Sequence, residues 1–85
     1  MAEATIKLFA GLMDYLPVKS TKAHGFPYDL EKSDKVGEII DDLGLPRNLI
    51  HIVLLNGVYL APETRDETRL KPGDVLGFWP PVAGG

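Results

Sequence analysis

The residues whose types and placement could do chemistry are the last ones, Pro80-Pro81-Val82-Ala83-Gly84-Gly85. With Gly85 as the C-terminus, the chain presents an α-carboxylate that no side chain crowds. Two residues without Cβ atoms can enter a channel too narrow for any others. Such an end suits a terminus whose carboxylate is itself the reactive group; a frayed end without a role is the competing reading. Pro80 and Pro81 have fixed φ and no N–H, so they stop a strand and project the residues after them in an extended form. From there, Val82 to Gly85 reach at most about 14 Å, enough to thread into a neighbouring protein's active site.

Other catalytic arrangements are missing. There is no cysteine, hence no disulfide and no thiolate nucleophile. His24 and His51 alone do not make a zinc site. Ser20 and Ser33 lack a histidine and acid around them, and Ser33 is better suited to capping a helix. No glycine-rich phosphate loop occurs. Glu38, Asp41 and Asp42 read as the solvated side of a helix rather than a metal or acid–base cluster. A self-contained enzyme, a bound cofactor and a metal are therefore not expected. The net charge of -3, with lysines and arginines scattered, argues against nucleic acid. No apolar run approaches the roughly 20 residues of a membrane span, and no signal pattern opens the chain, so a soluble cytoplasmic protein is expected.

The 85 residues allow one domain. Thr5 to Phe9 alternates as a first strand; Leu12, Tyr15 and Leu16 suggest a short helical turn ending at Pro17; Val18 to Gly25 forms a loop. Phe26, Tyr28 and Leu30 mark a second strand, which Pro27 places at a sheet edge. Lys35 to Leu43 is the main helix: Val36, Ile39, Ile40 and Leu43 make one apolar stripe, Ser33 or Asp34 supplies the N-cap, and Gly44 ends the last turn. After a short connection with room for one turn, Ile50 to Leu55 reads as a central strand. Asn56-Gly57 turns it into Val58 to Leu60, since a type I′ turn needs positive φ at both residues. Ala61 to Arg69 is irregular, Lys71 to Asp74 is a turn, and Val75 to Trp79 is the last strand.

This order predicts an α+β fold, a mixed sheet of four to five strands with one main helix on one face and the first and last strands paired in the middle. That is the ubiquitin-like β-grasp. Residues 1–79 would form the domain and 80–85 a flexible tail. In the last strand Leu76 and Phe78 are assigned inward. Val75, Gly77 and Trp79 share the open face, where Trp79 would anchor a partner beside the tail.

The tail Phe78-Trp79-Pro80-Pro81-Val82-Ala83-Gly84-Gly85 resembles the ending of the MoaD/ThiS family of ubiquitin-like sulfur carriers, and in particular that of the molybdopterin synthase small subunit. Leu70 to Val75, Leu54-Leu55-Asn56-Gly57 and Ile6 to Ala10 also match, so the similarity runs along the whole chain. The resemblance implies that an ATP-dependent E1-like enzyme adenylates Gly85 and that sulfur then replaces one oxygen, leaving a thiocarboxylate. Gly84 would be its slender neighbour, and Trp79, Pro80, Pro81, Val82 and Ala83 would meet the partner. The tail would then donate sulfur to an acceptor such as the molybdopterin synthase large subunit. The chain would be a carrier, or the small subunit of that synthase, rather than an enzyme by itself.

Two features depart from the molybdopterin and thiamine patterns. Only seven residues, Leu45 to His51, separate Gly44 from the apolar strand, where molybdopterin synthase small subunits have a longer helical segment. The tail lacks the third glycine common in thiamine-pathway carriers. The tail thus favours the molybdopterin branch and the short middle resembles other carriers. A thiamine- or cysteine-pathway carrier, a ubiquitin-like modifier joining Gly85 to lysines, and a fold-only interaction domain are the alternatives.

Overall fold

The computed structural model describes residues 2–9, 12 and 25–81. Five strands form one sheet: β1 (Glu3–Leu8), β2 (Gly25–Asp29), β3 (Ile52–Leu55), β4 (Val58–Tyr59) and β5 (Val75–Trp79), in the order β2-β1-β5-β3-β4. β1 and β5 run parallel in the middle, and the other pairs are antiparallel. With the helix α1 (Val36–Leu43) on one face, this is the expected β-grasp. β2 lies at the edge, with Pro27 exposed on it. The expected turn around Tyr15 and Leu16 and the loop to His24 lie outside the described residues. Among the described residues no helix is long and apolar enough to cross a membrane.

Strand alternation supplies the core. Ile6 pairs with Leu76 and Leu8 with Phe78, and all four are fully buried. Phe26, Tyr28 and Val53 continue that layer across the neighbouring strands. The helix lays Val36, Ile39 and Ile40 upon it, with Leu43 partly buried at the margin. Burying each such side chain contributes roughly 1.5–3 kcal/mol. The helix ends as its sequence requires. Gly44 has φ +70°, its N–H bonds to the Asp41 carbonyl (3.2 Å), and the Leu45 N–H reaches the Ile40 carbonyl (3.1 Å), a Schellman motif.

The start of the helix differs from the expectation that Ser33 or Asp34 caps it. Lys35 is the N-cap, and no side chain caps it. The segment after a short 3₁₀ turn (Arg65–Glu67) runs alongside instead. The Val36 N–H donates to the Thr68 carbonyl (2.9 Å), and the Leu70 N–H donates to the Asp34 carbonyl (2.7 Å). A backbone carbonyl from a distant segment thus replaces the local cap, and the Asp34 carboxylate turns outward to Arg69 (2.7 Å). Arg47, in a second 3₁₀ turn (Arg47–Leu49), ties this face together through Asp66 (2.8 Å), Asp41 (3.1 Å) and the Gly37 carbonyl (3.2 Å).

Candidate functional site

The candidate site is the place where β5 leaves the sheet. β5 occupies the middle of the sheet, so its final two residues are held from both sides. The Trp79 carbonyl accepts the His51 N–H (2.8 Å), Trp79 registers with Ile52, and the Phe9 N–H reaches the Phe78 carbonyl (3.2 Å). Pro80 and Pro81 come next and have no N–H to extend the ladder. Pro80 is half-buried and Pro81 exposed. Val82, Ala83, Gly84 and Gly85 lie outside the described residues.

Trp79 is on the open face, as the alternation indicates, and is half-buried. Its ring stacks on that of Phe9, with centroids 4.1 Å apart and planes 8° from parallel. The indole also lies over Gly77. A Cβ built there would stand 2.8 Å from Trp79 Cζ3 and 3.0 Å from Cη2. Ile52, Leu54 and Val75 continue this open face, half-buried, toward the more exposed Tyr59. The site is thus an apolar open face with an aromatic stack at the end of β5, just before Pro80-Pro81.

Sequence reasoning missed Phe9 and the close approach at Gly77. The i, i+2 spacing of Gly77 and Trp79 is a local signal for one of them. The Phe9 contact depends on the β1–β5 register, which no local pattern reveals.

The groups with displaced pKa values serve structural ties. Burial, and then the hydrogen bond to Asp42 (2.8 Å), push the Tyr28 phenol up to about 12. Asp42 is held low by that same bond and by Lys32. Asp74 is held low by the Asn56 amide (3.0 Å) and the Lys71 N–H (2.8 Å). Asp74 immediately precedes β5, about 16 Å along the strand from its Trp79 end. Among the described residues there is no group of three or more His, Asp or Glu side chains able to hold a metal ion. His51 is exposed, and His24 lies outside the described residues. Glu38, Asp41 and Asp42 are all exposed, as a solvated helix face requires.

Asn56 and Asp74 also join two segments that looked separate in sequence. Asn56-Gly57 makes the hairpin with φ +52° and +83°. The Asn56 Oδ1 accepts the Val75 N–H (2.8 Å), and its Nδ2 donates to Asp74. The hairpin and the Lys71–Asp74 turn therefore form one hydrogen-bonded unit that sets where β5 begins.

Solved structures share this architecture. ThiS, the thiamine biosynthesis protein of Geobacter metallireducens, is 30% identical over 69% of this chain and 88% of that one, with a TM-score of 0.56. The small archaeal modifier protein 1 of Methanosarcina acetivorans is 26% identical over 100% of this chain and 98% of its own, with a TM-score of 0.67. A chain from the complex of subunits 1 and 2 of the Helicobacter pylori molybdopterin-converting factor shares the fold at 22% identity, covering 98% of this chain and 99% of that one, with a TM-score of 0.59. No curated protein matches the chain. The ThiS family model matches residues 6–85, nearly the whole sequence from β1 through the terminal glycines, and the chain therefore belongs to the ThiS family of ubiquitin-like sulfur carriers.

Proposed function

We propose that Gly85 carries sulfur as a C-terminal thiocarboxylate and that the recipient is molybdopterin synthesis. The observation that carries this reading is the central strand β5 ending at a held Trp79, followed at once by Pro80-Pro81 and the Gly84-Gly85 ending. In the first step a Gly85 carboxylate oxygen attacks the α-phosphate of ATP and pyrophosphate leaves. Hydrosulfide then attacks the acyl carbon, AMP leaves with the bonding electrons, since adenylate is a far better leaving group than oxide, and loss of the S–H proton gives the thiocarboxylate. Gly84 keeps the approach narrow. Trp79, Pro80, Pro81, Val82 and Ala83 meet first the activating enzyme and then the acceptor. The chain contributes no catalytic side chain to either step. Residues 80–85 act as the arm and the rest as its mount.

The molybdopterin assignment rests on the Pro-Pro-Val-Ala-Gly-Gly ending. It is supported by the Helicobacter pylori protein of the same fold, which is found with subunit 2 of its molybdopterin-converting factor. An equivalent large subunit is the proposed acceptor. Likeness to the small archaeal modifier protein 1 over the whole chain favours a second reading, in which Gly85 is joined to lysines of other proteins.

Coexpression with an E1-like activating enzyme and a sulfur source, followed by intact-mass spectrometry, tests both. A mass gain equal to sulfur replacing oxygen supports the carrier. Branched Gly-Gly remnants on lysines support the modifier. Neither product with a competent activating enzyme refutes activation of Gly85.

A further inference from the structure

We propose that Gly77 is a positioning residue for the partner-docking surface beside the tail, acting through the Trp79 ring. The inference rests on the carrier reading above and adds a residue that the chemistry at Gly85 does not itself require.

Gly77 lies in the middle of β5, where glycine packs no side chain and weakens a strand. Its φ is not in the left-handed region, so backbone freedom does not explain it. Space does. The Trp79 ring lies where a Gly77 side chain would stand, with Cζ3 2.8 Å and Cη2 3.0 Å from the ideal Cβ position, and Phe9 Cε2 is 3.4 Å away. Real Cβ atoms do not approach other atoms this closely, so any side chain at 77 must displace the indole. The missing Cβ lets Trp79 lean back along its strand, lie flat, and stack on Phe9 at 4.1 Å.

The consequence falls on the surface where the chain leaves the strand. Trp79 is the last strand residue. Its backbone is pinned by the His51 N–H, and its side chain by Phe9 and the floor at Gly77. Pro80 and Pro81 add no hydrogen bond and little φ freedom, so the direction in which the tail departs is inherited from Trp79. A lifted indole would leave the arm attached and its backbone exit held by the sheet, but it would remove the flat aromatic surface beside that exit. The effect is on encounter with a partner, not on the reactivity of the Gly85 carboxylate.

The test uses the full chain with an E1-like enzyme of the MoaD/ThiS-activating class, followed by ATP–pyrophosphate exchange. Gly77→Ala, Trp79→Leu and the double variant are compared with the native chain. NMR reports Phe9–Trp79 contacts, and circular dichroism reports the melting temperature. Gly77→Ala should lose the Phe9–Trp79 contacts, lower its melting temperature by a few degrees while staying folded, and raise KM for the carrier about two- to tenfold with kcat unchanged, as expected when a partner loses one aromatic contact. Trp79→Leu should raise KM at least as much. Gly77→Ala added to Trp79→Leu should then change nothing further.

An unchanged KM in Gly77→Ala despite a lost stack overturns the inference. So does a further rise in the double variant, because Gly77 would then act independently of Trp79. If Gly77→Ala is too unstable to assay, an unchanged KM in Trp79→Leu overturns it equally. Absence of exchange with the native chain refutes the carrier reading itself, and with it the role of Gly77.

Discussion

Replacing Asn56 by Asp changes one atom's chemistry at the joint between the hairpin and the start of β5. The native amide donates to the Asp74 carboxylate at 3.0 Å and accepts the Val75 N–H at 2.8 Å. In Asn56→Asp the acceptor survives and the donor becomes a second carboxylate oxygen facing Asp74. Two unit charges about 4 Å apart repel by about 1 kcal/mol in bulk water and about 4 kcal/mol near a protein surface. Asn56 is exposed and Asp74 half-buried, so the lower part of that range applies. Adding about 1 kcal/mol for the lost hydrogen bond gives a destabilisation of about 2–3 kcal/mol near neutral pH.

The sign with pH comes from both chains. In the native protein the Asp74 pKa is depressed, so its contribution is present above the unfolded carboxylate range and is lost as pH falls through the folded value. In Asn56→Asp the facing carboxylates favour taking up one proton, which restores an O–H donor. The gap between the two chains should therefore narrow on going from about pH 7 to about pH 4. Urea unfolding followed by the fluorescence of Trp79, the single tryptophan, measures it. The swapped pair Asn56→Asp with Asp74→Asn should recover most of the loss. The amide introduced by Asp74→Asn could donate to the carboxylate introduced by Asn56→Asp while still accepting the Lys71 N–H. An Asn56→Asp deficit that stays constant with pH, or a swap no better than the single change, would refute this account of the joint.

Three further outcomes are expected. The folded Tyr28 phenol keeps its proton up to about pH 12, whereas an unfolded one releases it near 10. Stability should therefore be full below about pH 10 and decline through about pH 12. A phenolate absorbance titration should show this late step and lose it in Tyr28→Phe. Gly44→Ala places a Cβ at φ +70° and should cost about 1 kcal/mol in denaturant unfolding, with the fold retained. Deleting Gly85 should abolish the sulfur-for-oxygen mass gain while leaving the melting temperature unchanged, because the described core is complete without it. A marked fall in that temperature would count against a tail independent of the domain.

The features that the sequence determined by itself are those that repeat locally or are forced at one residue. The stripe Val36-Ile39-Ile40-Leu43 placed the helix, with the structure starting it one residue later than the pattern does. Asn56-Gly57 specified the hairpin because few other pairs tolerate positive φ twice in succession. Alternation in β5 put Leu76 and Phe78 inside and Trp79 on the open face, since neighbouring side chains must point to opposite sides. Gly84-Gly85 behind two prolines is the sequence feature on which the proposed carrier chemistry rests, and it needs no fold to be seen.

Tertiary structure decided whatever depends on two distant segments meeting. Ser33 and Asp34 looked like caps because caps are usually local. The Thr68 carbonyl took that place only because the chain returns alongside the helix. Asn56 and Asp74 are 18 residues apart, and their bond exists only once β3 and β5 are paired. Trp79 read as an exposed anchor. The parallel register of β1 and β5 brings Phe9 under it, and the empty position at Gly77 lets it lie down, so β5 ends in an aromatic stack rather than in a free tryptophan.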